Sequence, residues 1–192
     1  MLSPLILASA SPQRSTLLKS LGVVFEVISS TIEERSCTES DPAKRSMALA
    51  LMKAKDVAGS HPKAWIIGCD TLVVADDGIL LEKPRDADDA RRMLRLQSGR
   101  TSTVHSGLTL LSPKGESWTD ISSSRVTFKE LSNADVEWWI ATGQWEGRSG
   151  AFQIDGLGQL MIVHLDGDWT SVVGLPVFLL GELAERAGER IV

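Results

Sequence analysis

Apolar runs of strand length alternate with helical periodicities along the whole chain. Leu5-Ile6-Leu7-Ala8 is a continuous apolar run that predicts a short buried strand, and Ser11-Pro12 after it reads as a helix cap followed by proline at the first helical position. Gly22 is a suitable stop for that helix. Residues 23–28 (VVFEVI) predict a second strand, and residues 31–40 are polar and predict a loop. Asp41-Pro42 opens a second helix in which Met47, Ala50, Leu51 and Ala54 recur at helical spacing. Residues 65–68 (WIIG) form a strand leading into Asp70, and residues 71–75 continue extended. Asp76-Asp77-Gly78 turns the chain towards a further strand at 79–81.

In the second half, Asp86 caps a helix that ends near Gly99. Two long extended stretches, 101–111 and 118–128, are joined by the turn Pro113-Lys114-Gly115. Ser132 with Asp135 resembles a capping box for a helix reaching Thr142. Residues 143–158 read as a glycine-rich loop, 160–165 as a strand, and a last helix follows Gly174-Leu175-Pro176. Interleaved strands and helices of this kind predict an α/β fold with a mixed sheet. A length of 192 residues suits a single domain, 1–192.

Composition narrows the class. With 43% hydrophobic and 23% charged residues, the chain is expected to fold as a globule. A net charge of −5 and the lack of any Lys/Arg run argue against DNA, RNA or an anionic membrane as partner, because a long polyanion needs a broad basic face. No apolar stretch approaches the roughly 20 residues that span a bilayer. The apolar opening lacks preceding basic residues and reads as a strand rather than a signal peptide, so the cytoplasm is the expected compartment. Cys37 and Cys69 are too few for a disulfide framework, and with His61, His105 and His164 scattered no zinc site is expected.

The candidate chemistry is anionic-ligand chemistry. The first strand-loop-helix unit carries Ser9, Ser11 and Arg14, where helix-terminal N–H groups, two hydroxyls and a guanidinium suit a phosphate. No GxxxxGK[ST] or GxGxxG loop is present. Asp70, after an apolar strand, has the chemistry to bind Mg²⁺ or to take a proton from water. Glu33 and Glu34 sit in a polar loop, Lys53 in a helix, and Lys83 before Pro84. Each alone reads as an ordinary surface group. Together they supply what triphosphate hydrolysis needs: cations against the polyphosphate, a carboxylate for a divalent metal, and a base to orient water.

The opening LILASASPQRSTLLKSLGVVFEV resembles that of the Maf family, a strand followed by S-x-S-P-x-R and L-L-x-x-L-G. IEE, LALMKA, GCDTLVV, LEKPRDADDARRMLRLQSGR, VTFKEL, GAFQIDGLG and VVGLP follow in the family's order, so the likeness covers about residues 5 to 182. The resemblance implies an elongated α/β fold like that of Maf and inosine triphosphatase proteins, two lobes of a mixed twisted sheet with flanking helices around a cleft. It implies a nucleoside triphosphate pyrophosphatase that uses a divalent cation, Mg²⁺ or Mn²⁺, and is commonly a homodimer. By motif matching it makes Asp70 the general base, with Glu33 beside it at the metal. It also gives Lys53 and Lys83 to catalysis on the polyphosphate, and Ser9, Ser11 and Arg14 to phosphate binding.

The resemblance also marks the positions that select the base. Members acting on dTTP and UTP resemble S-P-R-R, G-x-D-T and K-A-G-x-Y-G-I-Q-G, whereas those acting on 7-methylguanosine triphosphate resemble S-P-W-R, G-S-D-Q and C-A-G-x-F-K-S-E-G. This chain has Gln13, Thr71 and R-S-G-A-F-Q-I-D-G, so Gln13, Thr71, Gln153 and Asp155 are the candidate specificity residues. A carboxylate at 155 only accepts hydrogen bonds, which suits a guanine-like or cationic base better than uracil. The expectation is therefore hydrolysis of a noncanonical or modified nucleoside triphosphate to monophosphate and pyrophosphate. The alternatives are the same chemistry on dTTP and UTP, and a nucleotide-binding regulator of septum formation. Trp145, in the glycine-rich loop, is a candidate to stack on the base.

Overall fold

The computed structural model describes residues 2–191. Its elements, in chain order, are β1 (Leu5–Ala8), α1 (Pro12–Ser20), β2 (Glu26–Val27), α2 (Pro42–Ser60), β3 (Trp65–Val74), β4 (Leu80–Leu81), α3 (Ala87–Gln97), β5 (Thr101–Leu111), β6 (Ser117–Phe128), α4 (Asn133–Ala141), β7 (Ile162–Asp166), α5 (Trp169–Val173) and α6 (Val177–Arg186). The strands form one open sheet in the order β2-β1-β3-β5-β6-β7, with β4 paired to β3. β1 is parallel to both β2 and β3, whereas β4 on β3 and β7 on β6 are antiparallel. The sheet is therefore mixed and the class α/β, as the alternation of elements predicts.

Three expectations change. The strand expected over 23–28 contracts to Glu26–Val27, because Val24 stands 92% exposed with nothing to pack on, while Val23 and Phe25 turn onto the core. β3 does not stop before Asp70 but runs through it to Val74, so the aspartate lies inside a strand. The glycine-rich stretch contains 3₁₀ turns at Ser149–Ala151 and Gly156–Met161, and α5 follows β7 with no sequence signal read for it.

Two compact units are distinguishable. The first comprises Met1–Asp70, Ser106–Ser122 and Gly174–Val192. Here β1 is buried on both faces, which is why its sequence is a continuous apolar run rather than an alternation. Leu5 and Leu7 pack with Leu18, Ile67, Leu108 and Leu180; Ile6 and Ala8 pack with Ala54, Val57 and Ile66. Helix α2 lies against the sheet unusually closely. A Cβ on Gly68 would fall 2.1 Å from the Ala50 carbonyl oxygen, and one on Gly107 would fall 2.3 Å from the Ser46 backbone. Only glycine leaves room for that approach.

The second unit comprises Thr71–His105 and Ser123–Val173. Met93, Leu94, Phe128, Val136, Trp139 and Phe152 form its core, with Phe128 and Phe152 edge to face at 5.0 Å. Side chains cap α2, α3 and α4: Asp41 accepts from the Lys44 amide, Asp86 from the Asp89 amide, and Ser132 and Asp135 form the reciprocal box expected of them.

Two outcomes follow from these contacts. Gly68→Ala is expected to destabilise the chain by about 1–3 kcal/mol, because the methyl group meets helix backbone that cannot turn aside. A lower urea midpoint measures this. The second concerns Asp135, whose carboxyl is held down at about 2, first by its hydrogen bond from Lys129 and then by those from Ser132. A depressed carboxyl contributes stability above its unfolded value of about 4 and loses it as pH falls towards 2. Asp135→Asn should therefore lower stability at pH 6, and the gap to wild type should narrow between pH 4 and pH 2 in urea titrations.

Candidate active site

The site starts from the parallel pair β1 and β3, whose registers place Ala8 beside Gly68. Ser9, immediately after β1, is buried, and its hydroxyl accepts from the Ser11 amide at 3.2 Å and from Arg14 Nη1 at 3.1 Å. Arg14 also donates from Nη1 to the Cys69 carbonyl at 2.8 Å and from Nε to the Gly174 carbonyl at 2.8 Å. The fork expected to grip phosphate is thus partly engaged on main-chain carbonyls. It ties the end of β1, the residue before Asp70 and the Gly174 turn into one assembly.

The N-terminus of α1 differs from those of α2, α3 and α4. Ser11 occupies the cap position, yet its side chain makes no capping bond and instead donates to Gln13 Oε1 at 3.1 Å. The Ser11 side chain thus leaves the first turn uncapped, an arrangement that suits an anion.

Asp70 is 5% exposed. Lys53 Nζ, one turn beyond the close contact of α2 at Gly68, donates to Asp70 Oδ1 at 2.6 Å. The second oxygen, Asp70 Oδ2, is buried and has no hydrogen-bond partner among the described residues. A carboxylate buried with one oxygen balanced and the other unsatisfied is costly unless something else completes it. Lys53 also pairs at 2.7 Å with Glu34, half-exposed in the loop after β2. Glu33, the loop glutamate that the family resemblance assigns to the metal, is exposed; its carboxylate bonds to none of the described residues, while its backbone carbonyl accepts from Ser36. The two glutamates are adjacent, and no periodicity in that loop separates them beforehand.

Cys69 was not singled out by the sequence. Its buried thiol donates to the Gly174 carbonyl at 2.9 Å, and burial pushes its pKa up, so it is a neutral hydrogen-bond donor.

Asp70 Oδ2 supplies the kind of oxygen a divalent cation takes. No cluster of three or more His, Cys, Asp or Glu is placed to hold a metal among the described residues. That donor set fits Mg²⁺ or Mn²⁺, which bind through one or two carboxylates and complete their shell with substrate phosphates and water.

Other predicted residues lie in the second unit. Lys83 is exposed and pairs with no carboxylate among the described residues. Thr71 offers its carbonyl to the Ser149 hydroxyl at 3.4 Å. Gln153 donates its amide to Gln144 Oε1 at 2.9 Å and to the Asp155 carbonyl at 3.3 Å, so it braces its own loop. The half-buried Asp155 carboxylate has no hydrogen-bond partner among the described residues. Arg148, at the start of the same loop, has its pKa lowered by burial against the opposing pull of Asp155. Trp145 packs against the core and donates to the Ile140 carbonyl at 3.1 Å, which ties down the ring expected to stack on a base.

Comparison with known proteins places the chain. The family model described as "Maf-like protein" matches residues 4–187. The dTTP/UTP pyrophosphatase of Syntrophotalea carbinolica is 42% identical over 190 residues, covering 97% of this chain and 86% of the relative. That of Bacillus cytotoxicus is 43% identical over 172 residues, covering 90% and 89%. Among solved structures, the Staphylococcus aureus Ham1 protein aligns with a TM-score of 0.51 at 15% identity, covering 84% of this chain and 81% of that one, a likeness of fold. With the carboxylate-lysine centre, these relatives define an enzyme class, the hydrolases of phosphoric anhydride bonds. Within that class the chain belongs to the Maf-like family.

Lys53→Met is expected to strand the Asp70 carboxylate in a buried position with neither oxygen paired, lowering stability by about 3–5 kcal/mol. Adding Asp70→Asn should recover much of that loss. A double variant no more stable than Lys53→Met in urea titrations refutes the coupling.

Proposed function

We propose that this chain is a pyrimidine nucleoside triphosphate pyrophosphatase, acting on dTTP and UTP and releasing pyrophosphate. The single observation that carries the reaction is Asp70: a buried carboxylate on a strand, with Lys53 on one oxygen and no hydrogen-bond partner among the described residues on the other. The names and identities of the relatives support the substrate, together with Thr71, which completes the G-x-D-T pattern of members acting on dTTP and UTP.

Asp70 Oδ2 takes the proton of the attacking water while Lys53 holds the carboxylate in place. The water oxygen bonds to the α-phosphorus, the bond from that phosphorus to the bridging oxygen breaks, and pyrophosphate leaves with the bond's electrons. The uncapped end of α1, with Ser9, Ser11 and Arg14, presents N–H, O–H and cationic charge to phosphate oxygens. Lys83 adds a cation for the leaving pyrophosphate. A divalent cation held by Asp70 and the Glu33–Glu34 loop would neutralise charge on the phosphates.

The half-buried Asp155 carboxylate, which accepts no hydrogen bond from the described residues, favours a second reading, preference for a base that presents N–H donors. A panel of triphosphates with Mg²⁺, assayed for pyrophosphate release, separates the two readings. Preference for dTTP and UTP supports the first, and preference for guanine-like or methylated bases the second. Release of no pyrophosphate from any triphosphate rejects both. Asp70→Asn should lower kcat by about 10²-fold or more with little change in KM. Asp155→Gln should shift kcat/KM towards pyrimidine triphosphates, and unchanged ratios across the panel remove residue 155 from base selection.

A further inference from the structure

The inner face of α3 is apolar at Ala90, Met93 and Leu94 and then carries Gln97, which is fully buried. An amide in that position is tolerated only if all its polar atoms are bonded. Its nitrogen donates to the Gly150 carbonyl at 2.7 Å and to the Met93 carbonyl at 3.1 Å; its oxygen accepts from the buried Ser102 hydroxyl at 3.2 Å. Both carbonyls can only accept, so the NH₂ must face them, and the Ser102 hydroxyl, which can donate or accept, satisfies the remaining oxygen. The next carbonyl along, Ala151, accepts from the indole N–H of fully buried Trp139 at 2.8 Å.

The two pinned residues have unusual backbone. Gly150 and Ala151 are both left-handed, at φ 72° and 58°, and Ala151 is the one non-glycine residue with positive φ among the described residues. Glycine adopts that conformation freely, whereas a buried alanine needs its surroundings to hold it there. Two successive left-handed residues redirect the chain, burying Phe152 against Phe128 and starting the path to Gln153 and Asp155. The Gly150 amide is held as well, by the Glu82 carbonyl at 3.2 Å.

We propose that Gln97, its oxygen satisfied by Ser102, and Trp139 are positioning residues for base selection. They pin two consecutive carbonyls and so fix the loop that carries Asp155. The proposal rests on the reading of that loop as base-selecting. Neither side chain touches substrate; both act through backbone.

Gln97→Met keeps length and apolar packing but removes the donor to Gly150, and Trp139→Phe keeps a ring but removes the donor to Ala151. In each variant, amides 150 and 151 should exchange hydrogen at least tenfold faster. The dTTP-to-GTP ratio of kcat/KM should change at least fivefold through KM, with kcat within twofold. Inhibition by inorganic tripolyphosphate, which has no base, should stay at the wild-type constant. Unchanged exchange in both variants overturns the clamp, and either variant suffices if the other does not fold. Faster exchange with an unchanged ratio overturns the positioning role. Asp155→Gln distinguishes the two failures. If it shifts the ratio while the clamp variants do not, only the present proposal is lost. If it too leaves the ratio unchanged, the base-selecting reading of the loop has failed.

Discussion

The close approach of helix α2 to the sheet is the constraint on which the catalytic centre depends. At Gly68 and Gly107 the helix backbone occupies volume that any other residue would fill, so α2 sits nearer to the strands than side-chain packing alone would allow. Lys53 lies on that helix and Asp70 two residues beyond Gly68 on the strand. The ammonium therefore reaches the carboxylate at 2.6 Å from a position set by backbone against backbone. Interiors packed in this way transmit displacement rather than absorb it.

A second tie works at right angles to the first in chemical terms. Arg14 does not simply wait for an anion: it joins Ser9, Cys69 and Gly174 through hydrogen bonds, and the Cys69 thiol shares the Gly174 carbonyl with it. Three chain segments far apart in sequence thus meet next to Asp70. A guanidinium anchored this way loses little conformational freedom when an anion arrives, which is the meaning of a preorganised site.

Much of the fold was legible before any coordinates, because its signals are local. The apolar run at Leu5-Ile6-Leu7-Ala8, Asp41 and Asp86 as caps, and the Ser132–Asp135 box each declare an element within a few residues. The strand over 23–28 was misjudged because β-branched composition says nothing about whether a neighbour is there to pair with Val24. At the site, Asp70 and Lys53 were legible as chemistry and through the family resemblance. That Glu34 pairs with Lys53 was not legible, because the polar loop does not announce the 3₁₀ turn at Glu34–Ser36. The roles of Gln97 and Cys69 were invisible for a different reason: each donates to a main-chain carbonyl distant in sequence, and carbonyls carry no side-chain signature.

The contraction of β2 to two residues has a consequence for the behaviour of the folded chain among its own copies. β2 terminates the sheet, and the end of a sheet offers open amides and carbonyls to which any extended polypeptide can add. A border of Glu26 and Val27 presents too few such groups to seed cross-molecular strand addition, and the carboxylate repels its own counterpart on an approaching copy. At this border of the sheet, then, shortness itself limits the addition of a further strand.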